Sequence, residues 1–64
     1  MELTFFEFIK YNNKERVLIN IEDISSINED KNYCIIYFKS TNQIQKISDN
    51  YDIIIDRLKQ LKNK

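Results

Sequence analysis

Sixty-four residues with ten basic and ten acidic side chains, one cysteine, and no histidine, glycine, proline or tryptophan make one small domain and exclude several ways of stabilising it. A lone thiol forms no intrachain disulfide and, without histidine, cannot assemble the four N/S ligands of a structural zinc site, so a chain of this size must rely on its core or on a second copy. Balanced charge argues against a nonspecific binder of nucleic acid or of a membrane surface, whose affinity comes from excess positive charge.

With glycine and proline absent, turns fall to Asn, Asp and Ser, which tolerate left-handed backbone or hydrogen-bond their own main chain. Such residues cluster at Asn12-Asn13, Asn28 to Asn32, Ser40 to Asn42 and Ser48 to Asn50, a spacing suited to a strand meander. The first strand is expected over Leu3 to Tyr11. Its side chains must alternate, so Phe6 and Phe8 share one face while Leu3, Phe5 and Ile9 take the other. Arg16 to Ile21 reads as a second strand with Val17, Ile19 and Ile21 on one face. In Glu22 to Asn28, Ile24 and Ile27 stand three apart, which suits a helical turn leading into a short strand. Tyr33 to Lys39 is the clearest strand, rich in β-branched and aromatic residues, and Gln43 to Ile47 completes the meander.

The final segment is helical. Ser48 is the expected N-cap, with Asp49 and Asp52 in the first turn where the macrodipole favours negative charge. Tyr51, Ile54, Ile55, Leu58 and Leu61 form one apolar stripe, and Ile53 lies opposite it. Arg57, Lys59, Lys62 and Lys64 bring positive charge towards the C-terminal end, and Asp56 can pair with Lys59 on an exposed face. The expected fold is α+β: an antiparallel meander of four to five short strands within 3–47, followed by one amphipathic helix over 49–62, in a single domain, 1–64.

Little here supports catalysis. The commonest general base is missing, and Cys34, inside an apolar strand, reads as a small buried hydrophobe. Glu22-Asp23 and Glu29-Asp30 read as solvated loop charges. A phosphate-cradling loop needs glycine, which the chain lacks. The expectation is therefore a non-enzyme with no cofactor and no metal.

Binding surfaces are the remaining source of function. Tyr33 and Tyr37 share a face of their strand, an arrangement that can stack nucleic-acid bases, but the only cations near them in sequence are Lys31 and Lys39. Packing of that face against the helix is the preferred reading. One helix covers one face of a small sheet, so part of the set Phe5, Phe6, Phe8 and Ile53 should remain exposed as an interface, unless the strands curl into a barrel that buries both faces. An edge strand at the N-terminus could pair with its symmetry mate or with a partner's strand.

At Leu18-Ile19-Asn20, followed by Ile24 and Ile27, the chain resembles FlbD-type flagellar accessory proteins and related short proteins of bacteria and their phages. In that pattern a strand ends in apolar-Asn and is followed by Ile-x-x-Ile, then a hairpin and a Ser-led acidic helix start. Leu3-Thr4, Ile35 to Phe38 and Ser48 to Ile55 occupy the corresponding places, with Asn12-Asn13 and Thr41-Asn42 where the family has turn glycines. The resemblance implies the fold and a small non-catalytic role. The Asn-Ile-Ile segment is also similar to one edge of LytTR-type DNA-binding domains, which are longer and more basic.

These readings converge on a protein-interaction module, a homodimer or small homo-oligomer that binds a protein partner, with neither membrane nor nucleic acid as its target. The Ile-, Asn- and Lys-rich composition suits an AT-rich genome. The concrete expectation is a phage- or mobile-element-encoded inhibitor of a host defence or regulatory protein. No basic leader or long apolar run opens the chain, and the lone thiol suits the reducing cytoplasm of a bacterial cell. A flagellar or housekeeping accessory factor is the alternative, and a nucleic-acid-binding regulator the third.

Overall fold

The computed structural model describes residues 4–62, so the expectations for Leu3 and Lys64 lie outside it. Five strands, β1 (Phe5–Ile9), β2 (Arg16–Asn20), β3 (Ile24–Glu29), β4 (Cys34–Phe38) and β5 (Ile44–Ile47), precede one helix, α1 (Tyr51–Lys62). This is the expected α+β meander with its C-terminal helix. β1 and β2 form one antiparallel sheet and β3-β4-β5 another.

A seam joins the two sheets. Lys10 and Ile47 form an antiparallel bridge. On either side of it the Tyr11 N–H donates to the Lys46 carbonyl at 3.0 Å and the Ser48 N–H to the Ile9 carbonyl at 2.8 Å. The Ile9 N–H is taken by Asp49 Oδ1 at 2.7 Å. Asp49 therefore serves the seam rather than the first helical turn. The cap also differs from expectation: Asn50 Oδ1 accepts from the N–H groups of Asp52 at 2.9 Å and Ile53 at 3.3 Å, and the helix begins at Tyr51. Asparagine caps as well as serine does, and the seam bond of Ser48 holds that residue in the sheet.

Glu22 to Asn28 is a helical turn running into a strand, as its Ile spacing suggests. A 3₁₀ turn over Ile21–Asp23 is capped by the Asn20 side chain, which accepts from the Glu22 N–H. Asp23 is a clamp rather than a solvated loop charge. Its carboxylate accepts from the Ser40 N–H at 3.1 Å and the Ser40 hydroxyl at 2.6 Å, while its carbonyl accepts from the Lys39 N–H at 2.7 Å. At the β1–β2 turn the residue with positive φ is Lys14, at 60°, not either neighbouring asparagine. Asn13 instead braces the turn, with its Oδ1 accepting from the Glu15 N–H at 3.0 Å.

The core is small. Phe8, Ile19, Cys34, Ile36, Ile47 and Ile54 are buried, with Phe6, Val17, Ile24, Ile27, Phe38, Tyr51 and Leu58 packed around them. Every strand and the helix contributes to this set, so none of them is dispensable. On α1 the expected stripe faces inward and Ile53 faces out. Asp56 accepts from Gln60, one turn further on, at 3.5 Å instead of pairing with Lys59.

Candidate functional site: the uncovered sheet face

Strand register decides which side chains the helix covers. In the hairpin, Phe6 pairs with Ile19 and Phe8 with Val17 on the helix side, while Phe5–Asn20, Glu7–Leu18 and Ile9–Arg16 form the opposite, outer side. In the larger sheet, Cys34 pairs with Ile47, Ile36 with Ile27, and Phe38 with Ile24 on the helix side. Tyr33, Ile35 and Tyr37 therefore point outward, contrary to their expected packing against the helix. The inward face of β4 is the one without hydroxyls. A buried tyrosine would need a partner for its O–H, which on the outer face water supplies.

The exposed large apolar side chains among the described residues are Leu18 at 66%, Ile53 at 60%, Phe5 at 50%, Ile44 at 45% and Tyr37 at 37%. Four of these five stand at outward strand positions, Phe5 and Leu18 in the hairpin and Tyr37 and Ile44 as a cross-strand pair in the larger sheet, while Ile53 is on the helix. The expected interface set is thus divided. Phe8 is fully buried and belongs to the core. Phe6 is half-buried, its ring 6.4 Å from that of Phe8 and beneath the Arg57 guanidinium at 4.3 Å. Phe5 and Ile53 are exposed but share no patch. Leu18 and Ile44 were missed, although alternation signals both. Leu18 lies between inward Val17 and Ile19, and Ile44 and Ile47, three apart in a strand, cannot share a face.

The seam adds an aromatic and basic cluster to the outer face. Tyr11 lies 4.8 Å from Tyr33, ring to ring. Lys46 sits 5.0 Å above the Tyr33 ring and Lys14 5.1 Å above that of Tyr11, within the range of cation–π attraction. Neither lysine is near Tyr33 in sequence; the seam and the turn bring them there. The outward paired positions of β3, β4 and β5 are Ser26, Asn28, Ile35, Tyr37, Ile44 and Lys46, with no carboxylate among them. On the hairpin side Glu7 and Arg16 approach to 3.9 Å, both well exposed, a pair contributing little to stability.

Cys34 is buried, and its Sγ–H donates to the Asp49 carbonyl at 3.4 Å. Burial pushes the thiol's pKa up, and the charges of Glu29 and Asp49 push it the same way. A thiol held in its neutral form is a poor nucleophile. Among the described residues no His/Cys/Asp/Glu group is arranged to hold a metal, and no helix is long and apolar enough to cross a membrane.

No protein-family model, curated protein or solved structure matches this chain.

Proposed function

We propose that the protein is a non-enzymatic interaction module that binds a protein partner through its outer sheet face. The observation supporting this reading is the cross-strand pair Tyr37 and Ile44, both exposed on the outer face of the larger sheet, which the single helix leaves uncovered. An exposed apolar pair on an uncovered sheet face is the kind of surface an interface uses, and tyrosine is enriched at interface centres. Size and composition suggest its concrete form: an inhibitor encoded by a phage or mobile element that occupies a surface of a host defence or regulatory protein. A FlbD-type accessory role is the alternative, and a motility operon around the gene would replace the inhibitor reading with it. The test is capture from the native host with the wild-type chain and with a Tyr37→Ser/Ile44→Ser double variant. One protein held by the first and released by the second supports the proposal; equal retention by both overturns it.

A second reading is favoured by one observation, the lysines above Tyr33 and Tyr11 beside a larger sheet whose outward paired positions lack carboxylates. Single-stranded nucleic acid is bound by such combinations of aromatic rings and cations. Titration of a labelled oligonucleotide at low ionic strength decides it. Salt-sensitive binding lost in Lys46→Glu supports this reading, and no binding removes it.

A further inference from the structure

The larger sheet and the seam leave two sheet edges without partners among the described residues, the outer edges of β2 and β3. They differ in fitness for pairing. β3 is interrupted by a register shift between Ile24 and Ser26 and ends on Glu29, and bulges and charges are the usual protection of an edge. β2 pairs in unbroken register from Arg16 to Asn20 and carries only one charge, Arg16, at its end.

The hydrogen-bonding direction of β2 follows from its flanks. Glu15 accepts from the Lys10 N–H and Ile21 donates to the Thr4 carbonyl, so residues 15 and 21 turn their main-chain groups towards β1. By alternation, Val17 and Ile19 do the same, while Arg16 and Leu18 direct N–H and C=O groups to the free edge, joined there by the N–H of Asn20, whose C=O serves the 3₁₀ turn that it caps. Leu18 at the centre is also the most exposed large apolar side chain described.

We infer that β2 pairs with β2 of a second copy, antiparallel about a two-fold axis at Leu18. In this register Leu18 meets Leu18 of the second copy in a doubly hydrogen-bonded pair. Val17 stands beside the second copy's Ile19 on the helix side, and Arg16 faces its Asn20, so apolar side chains stay on their own face. A slip of one residue would reverse every side chain. Charge is compatible with the symmetry. The two Arg16 side chains lie at opposite ends of the joined strands, about 13 Å apart at strand rise and beyond the roughly 8 Å screening length of physiological salt. Glu7 and Arg16 keep the surrounding face neutral, so two copies meet without repulsion.

The inference concerns a different edge from the Tyr37 and Ile44 surface, and it is tested without any other protein. Sedimentation equilibrium on the whole chain, up to millimolar concentration, should show a monomer–dimer equilibrium. Leu18→Lys and Leu18→Glu, at a position exposed in the monomer, should each raise the dissociation constant by at least about tenfold, a shift readily resolved. Circular dichroism checks that both fold. Mixing the two variants should restore association, because only a two-fold axis at this residue places lysine against glutamate. A strictly monomeric wild type, undiminished dimerisation of either variant, or a mixture that associates no better than its components would each overturn the inference. The Tyr37→Ser/Ile44→Ser variant should dimerise like the wild type.

Discussion

Cys34 is the residue whose titration the fold controls most clearly. Its pKa is raised in the native state by burial and by Glu29 and Asp49, so the native protein holds the thiol proton more tightly than the unfolded chain does. The stabilisation linked to this is complete below the ordinary thiol value of about 8.5 and is lost as pH rises through the native pKa. Thermal melts of the wild type should therefore fall in this range more steeply than those of Cys34→Val; parallel curves would contradict the assignment. Asn50 makes a second residue-scale prediction. Asn50→Ala should cost about 1 kcal/mol as a lost N-cap, a drop in Tm of roughly 4–8 °C for a domain of this size. Ser48→Ala should cost less, because its hydroxyl makes only a 3.4 Å contact with the Ile9 carbonyl. The reverse order would restore Ser48 as the cap.

At the scale of elements, β4 separates what was legible in the sequence from what was not. That Tyr33 to Lys39 forms a strand follows from its β-branched and aromatic residues, and the helix from its inward stripe and cap. Which face of β4 turns inward does not follow, because both Tyr33-Ile35-Tyr37 and Cys34-Ile36-Phe38 are apolar enough for a core. Register with β3 and β5 decides it, by setting Ile27, Ile24 and Ile47 against the second set, and that register cannot be read from β4 alone. The same limit hid the cation cluster, since Lys46 reaches Tyr33 through strand pairing and Lys14 reaches Tyr11 through a turn with a left-handed residue. Within the interface set, alternation separates Phe5 from Phe6 and Phe8, but only the tertiary fold places Phe8 in the core. The two faces of β4 should respond differently to substitution. Ile36→Ala, in the core, should cost about 2–5 kcal/mol, enough to unfold much of a domain this small. Tyr37→Ser, on the outer face, should cost about 1 kcal/mol or less. Chemical denaturation of both variants checks this, and comparable losses would mean the outer face is also packed.

For the whole molecule, the governing fact is geometric: five strands and one helix make two layers, and the helix covers one side. The seam through Lys10 and Ile47 joins the sheets, but the exposed positions of Phe5, Leu18, Tyr37 and Ile44 show that it does not enclose both faces. The outer face is therefore proposed to be the working surface, with the β2 edge beside it as the means of self-association. Quantitative capture from the native host, comparing wild type, Tyr37→Ser/Ile44→Ser and Ile53→Ser at matched folded fractions, tests this most directly. The account predicts that the outer-face variant loses the partner while Ile53→Ser retains it. Retention by the outer-face variant together with loss in Ile53→Ser would move the binding surface to the helix and contradict the account.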